Sequence, residues 1–125
     1  MLNQKYYEGY EGEAAVKIWR EDNLTPIGMI IWCGFFETIL EGCFVPDFPI
    51  GGISECYYYQ NCFYDEKWEM ANPSLVAQEL STFHCVHPEL RNTGMIQETN
   101  EVLQLLKGLI ATAVEKQQKV YIECL

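Results

Sequence analysis

Between Glu21 and Glu66 the chain carries no lysine and no arginine, although its average of 8 basic residues in 125 would place about three in those 46 positions. Phosphate contacts need clustered cations, so this deficit argues against nucleic acid as a partner, and against an anionic membrane surface for the same reason. Cys-x-x-Cys pairs are also missing, and with them the usual spacing of a structural zinc site. The longest apolar run, Ile27–Phe36, has ten residues and two glycines, too short to span a bilayer. The opening Met-Leu-Asn-Gln-Lys-Tyr-Tyr-Glu lacks the apolar segment and cleavage site of a signal peptide. A cytoplasmic protein with reduced cysteines is therefore expected, despite an even count of six.

What is present fits one globular domain over residues 1–125. Hydrophobic residues make up 49% and charged residues 21%, too apolar for a disordered chain and enough to build a core without staples. The net charge of −10 is uneven: residues 1–72 hold 12 acids and 4 bases, residues 73–125 hold 6 acids and 4 bases.

Local patterns suggest an α+β order. Residues 5–12 read as a short strand or an ordered arm. In Glu13–Arg20, Ala14, Val16 and Ile18 fall on one face at period two with Lys17 on the other, which predicts a strand with Trp19 turned away from the Val16/Ile18 face. Thr25-Pro26 follows the acidic turn Glu21-Asp22-Asn23 and resembles a helix cap with proline at the first position, so Ile27–Glu41 is expected to be a helix stopped by Gly42. The rival reading is two buried strands, because Ile30, Ile31, Trp32, Phe35 and Phe36 favour sheet. Pro46, Pro49, Gly51 and Gly52 mark residues 44–53 as a loop. Residues 55–64 read as a strand, or as a hairpin turning near Gln60-Asn61. Asn72-Pro73-Ser74 begins a helix that Leu75–Phe83 continues and His87-Pro88 ends. The clearest element is Gln97–Lys119, where Val102, Leu103, Leu105, Leu106, Leu109, Ile110, Ala113 and Val114 form one broad apolar stripe near a 3.6-residue period. Thr99 suits its cap, Lys116 and Lys119 suit its C-terminal dipole, and Gly108 is an exception that suggests a close packing contact. Val120–Cys124 closes the chain as a strand. The expected architecture is a single domain with an antiparallel or mixed sheet against a long C-terminal helix.

Chemistry-bearing motifs are sparse. His84-Cys85-Val86-His87 is the one cluster with metal-ligand character, and a structural zinc needs four such ligands; two loop histidines after a helix explain it more simply. No cysteine has the flanking residues of a nucleophile motif, and buried free cysteine behaves as a small hydrophobe. Gly51-Gly52-Ile53-Ser54 lacks the lysine of a phosphate loop. Neither a catalytic residue, a metal nor a cofactor is expected. What remains is the acidic, aromatic stretch, with ten aromatics between Glu21 and Glu66, among them Tyr57-Tyr58-Tyr59. Tyrosine supplies large contact area with few rotors and a polar tip, so interfaces favour it.

A small acidic domain with clustered tyrosines in Glu37–Glu69 resembles, as a class, the immunity proteins of bacterial toxin–immunity pairs. That resemblance implies a basic protein partner, a cognate toxin whose active site is covered by acids. The implied contact residues are Asp47, Glu55, Asp65, Glu66 and Glu69, with Tyr57, Tyr58, Tyr59 and Trp68 as anchors. The alternative is a small enzyme or ligand-binding domain whose pocket would be lined by Trp32, Phe36, Tyr57 and Tyr59. The oligomeric state is not legible in the sequence.

Overall fold

The computed structural model describes residues 2–43, 52–53, 67–83 and 94–125. The loop 44–53 apart from Gly52 and Ile53, the strand or hairpin expected over 55–64, and the His84–His87 cluster lie outside the described residues. Among the described residues eight elements follow in order: β1 (Leu2–Asn3), β2 (Ala15–Asp22), β3 (Thr25–Trp32), α1 (Cys33–Gly42), β4 (Trp68–Glu69), α2 (Pro73–Ser81), α3 (Gly94–Lys116) and β5 (Val120–Cys124). The strands form one mixed sheet in the order β1-β3-β2-β5-β4. β1 runs parallel to β3, and the other neighbours are antiparallel. The fold is α+β, with the long helix near the C-terminus as expected.

The alternation in β2 sets the two faces. Val16 and Ile18 lie opposite Ile31 and Met29 of β3 and Cys124 and Ile122 of β5. With Val120 they form the sheet side of the core. The helices supply the other side: Phe35, Phe36, Ile39 and Leu40 from α1, Val76 and Leu80 from α2, and Val102, Leu106 and Ile110 from α3. On the reverse face Trp19 does turn away from Val16 and Ile18, yet it is only 5% exposed. Its ring stacks on Tyr121, its partner on β5, with centroids 5.5 Å apart, and the Lys17 ammonium sits over it at 4.4 Å. Aromatic pairing and a cation on a ring face remove an indole from water without a second layer of aliphatic core.

The expected helix over Ile27–Glu41 is half strand. Thr25-Pro26 starts β3, and the helix begins only at Cys33. The reason is the turn before it. Asp22 pairs with Thr25 across a two-residue loop in which Asn23 (φ 48°) and Leu24 (φ 69°) are both left-handed. Positive φ at both central positions is what a type I′ hairpin demands, and it delivers the next residues straight back along β2. Once β2 is a half-buried strand, Met29 and Ile31 gain more by joining its apolar face than by a helix turn. Gly28 serves the same pairing, because a Cβ there would run into the Ile18 carbonyl and the Trp19 Cα. The helical end falls one residue later than expected, with Gly42 as the last residue of α1 and Cys43 as its cap.

Two other helix ends obey local chemistry. Asn72 caps α2, its Oδ1 accepting the Leu75 N–H at 3.1 Å, with Pro73 in the first turn. α3 begins five residues before the cap expected at Thr99. That threonine is fully buried inside the helix, and its hydroxyl donates to the Met95 carbonyl at 2.8 Å. The far end closes with Gln118 N–H on the Ala113 carbonyl and Gln117 N–H on the Val114 carbonyl, with Gln117 left-handed at φ 56°. These are the two bonds of a Schellman cap, built on glutamine where glycine is usual. The helix therefore stops at Lys116, and Lys119 lies beyond it.

Candidate functional site

The N-terminal arm presents three exposed acids, Glu8, Glu11 and Glu13. Residues 5–12 are not a strand but a succession of turns, with Gly9 (φ 89°) and Gly12 (φ 93°) in the left-handed region. Tyr7, Tyr10 and Glu13 each donate a backbone N–H three residues back, to Gln4, Tyr7 and Tyr10. The Tyr7 hydroxyl closes the arm on the Glu13 carbonyl at 2.8 Å. Both ends of the arm meet the start of α1, where Trp32 N–H donates to the Tyr6 carbonyl and Cys33 N–H to the Ala14 carbonyl. Tyr10 stacks on Trp32, centroids 4.4 Å apart and planes within 7°, and Phe35 meets both rings edge-on. The arm is thus locked onto an aromatic platform rather than hanging free.

Its acids face outward. Glu8, Glu11 and Glu13 are exposed, and the first turns of α3 bring Glu98 and the exposed Glu101 to the same shoulder. Tyr6, itself buried, donates its hydroxyl to Glu101 Oε2 at 3.2 Å. Burial pushes the Tyr6 phenol above its ordinary range, and the Glu101 charge adds to this against the opposing Lys5. Burial likewise raises Tyr10, reinforced by the charges of Glu98 and Glu13. Burial is the main cause of both shifts, and the carboxylates of Glu101, Glu98 and Glu13 add to it.

Of the residues expected to bind a partner, Asp47, Glu55, Tyr57, Tyr58, Tyr59, Asp65 and Glu66 lie outside the described residues. Trp68 and Glu69 form β4 at the sheet edge opposite β1. Trp68 pairs with Ile122 and packs against the core, half-buried. Glu69 pairs with Tyr121 on the other face, is exposed, and lies 3.7 Å from the Lys119 ammonium. Such an exposed pair contributes little, about 0–1 kcal/mol. Lys67 sits over the Tyr121 ring at 4.4 Å. Of the residues named for an aromatic pocket, Phe36 is core and Trp32 is committed to its stack with Tyr10.

A second cluster is buried. Glu79 of α2 is 5% exposed; its Oε1 accepts the Ile53 N–H at 2.8 Å, and its Oε2 has no hydrogen-bond partner among the described residues. Gly52 permits this approach, since a Cβ there would occupy the carboxylate's position. Burial, then the charge of Glu79, pushes the Cys43 thiol up to about 12, while Lys107 pulls the other way. Cys33 is likewise pushed up to about 12, by burial first and then by Glu37, whose Oε1 lies 3.6 Å from its Sγ. Thiols held this high are protonated at neutral pH and are poor nucleophiles. Among the described residues no group of three or more His, Cys, Asp or Glu is placed to hold a metal ion, and no helix is long and apolar enough to cross a membrane.

Sequence reasoning placed the acidic interface in 47–69 and read the arm only as a strand or an ordered segment. The signal was there in the spacing Tyr-Tyr-Glu-Gly-Tyr-Glu-Gly-Glu. Its partners Glu98 and Glu101 are some ninety residues away and become neighbours only through the fold. Comparison with protein-family models, curated proteins and solved structures finds no match to this chain.

Proposed function

We propose that this protein is an immunity-type inhibitor that acts in the bacterial cytoplasm by binding a basic protein, a cognate toxin, and covering its active site. The observation that carries this reading is the arm shoulder, where Glu8, Glu11, Glu13, Glu98 and Glu101 surround the tyrosines of a hydrogen-bonded, aromatic-backed loop. A rigid negative surface with tyrosine rings suits such a partner. Complementary charge speeds encounter and selects the partner, and aromatic anchors hold it. In the same reading the residues expected from the sequence, Asp47, Glu55, Tyr57, Tyr58, Tyr59, Asp65, Glu66, Trp68 and Glu69, are further partner contacts. Nucleic acid has no part in it.

The partner is obtained by co-purification, first with the product of the neighbouring gene, and association is followed by stopped flow. Charges farther apart than about 8 Å are screened at physiological salt, so the on-rate should fall as salt rises. Reversal of Glu8, Glu11 and Glu13 to lysine should slow association, and a parallel reversal of Asp65 and Glu66 tests the further contacts. Normal folding of both variants with unchanged association rates would sink the proposal.

A further inference from the structure

Beyond any protein partner, the structure has a groove beside the middle of α3, C-terminal to the acidic shoulder. Between the β1–β3 edge and the middle of α3 lies an open cleft of about 390 Å³. Ile27 and Met29 of β3 face Leu105 and Leu109 of α3 across it. Leu105 is 39% exposed, although it sits on a helix whose other leucines at 103, 106 and 109 are buried.

Two further residues single the cleft out. The first is Gly108, on its α3 wall. Glycine inside a helix costs about 1 kcal/mol relative to alanine. The close packing contact that the sequence suggested is not there: a Cβ at 108 meets nothing within 4 Å. Neither crowding nor backbone geometry requires glycine here, and its effect is to keep that wall of the cleft low. The second is Arg20, whose side chain is 12% exposed and lines the cleft from β2. Its Nη1 donates to Gln118 Oε1 at 2.7 Å and lies 3.9 Å from Asp22 Oδ2, while Gln118 Nε2 donates to Asp22 Oδ1 at 3.1 Å. The guanidinium is held from one side. Among the described residues its Nε and Nη2 have no protein acceptor.

We infer that this cleft binds a small amphipathic monocarboxylate. The unused Nε/Nη2 edge of a guanidinium matches a carboxylate in two parallel hydrogen bonds, and the apolar body of the ligand lies over Ile27, Met29, Leu105 and Leu109. A single cation already shared with Asp22, in a protein of net charge −10, disfavours a polyanion such as a nucleotide. The apolar walls disfavour a small hydrophilic anion.

The test is amide NMR on the isolated protein, titrated with octanoate, and with octanol as the uncharged probe of the same length. Octanoate should give saturable shifts at the Gly28, Met29 and Gly108 amides and bind at least about tenfold tighter than octanol, the factor expected for one charge-assisted contact. Arg20→Gln should bring the two probes level. Gly108→Leu should abolish binding, and Gly108→Ala should retain it. If Arg20→Gln does not fold, the two Gly108 variants decide the matter. Absence of saturable shifts, equal affinity for octanoate and octanol, or undiminished binding by Gly108→Leu would each overturn the inference.

Discussion

Replacing Leu24 by glycine should make the protein more stable. Leu24 is the second central residue of the β2–β3 turn, and its φ of 69° places an L side chain in the left-handed region. That conformation costs roughly 1–2 kcal/mol for a residue with a Cβ. Asn23, at φ 48°, is one of the few side chains that tolerates it. Leucine at 24 recovers nothing in exchange, because it is 91% exposed and buries no apolar surface. Glycine removes the strain but widens the unfolded ensemble, at a cost of roughly 0.5–1 kcal/mol. The difference leaves a net stabilisation of about 0.5–1 kcal/mol, and the resulting Asn-Gly pair is the one type I′ turns prefer. Urea denaturation should show a higher midpoint with an unchanged slope, since the surface exposed on unfolding is the same. In a chain of this length the melting temperature should rise by about 2–5 °C. Leu24→Val should move the other way, because a β-branched side chain is less tolerant still of positive φ. If glycine lowers the midpoint, or valine leaves it unchanged, the turn is not left-handed and the reason given for β3 being a strand fails with it.

Leu106, fully buried between α3 and the sheet, should cost about 2–5 kcal/mol on change to alanine, read by chemical denaturation; no loss would remove the α3 stripe from the core. Cys33 and Cys43 bind their protons more tightly in the folded chain than in the unfolded one, with folded values pushed up to about 12 from an ordinary 9. Their contribution to stability is therefore complete below about pH 9 and lost as pH rises from there towards about 12. Stability measured across that window should fall less steeply in Cys43→Ala than in the parent, once each is referred to its own value at neutral pH. At neutral pH both thiols should react with a maleimide far more slowly in the native protein than in urea, and equal rates would refute their protonated, shielded state.

Several parts of this fold were legible locally, because local chemistry decides them. The Val16/Ile18 alternation marks β2 whatever lies beside it, Asn72-Pro73 supplies its own cap, and the apolar stripe of α3 names its buried face except at Leu105 and Val114, each 39% exposed at the margin of the stripe. The class, a mixed sheet against a long helix, follows from those pieces and the strand at Val120–Cys124. Residues 25–32 are different: Ile27, Met29, Ile30, Ile31 and Trp32 are apolar at either period, and only the left-handed turn at Asn23-Leu24 and the waiting face of β2 make them a strand. The Schellman cap at Gln117 had no glycine to announce it. Trp19 owes its burial to Tyr121, across the sheet. The acidic arm owes its field to Glu98 and Glu101, and the cleft owes its cation to the clamp of Arg20 by Gln118, at a sequence separation of 98. A sequence pattern reports which face of an element is apolar. What stands opposite that face, and which charges converge on one point, is fixed only when distant segments pack together.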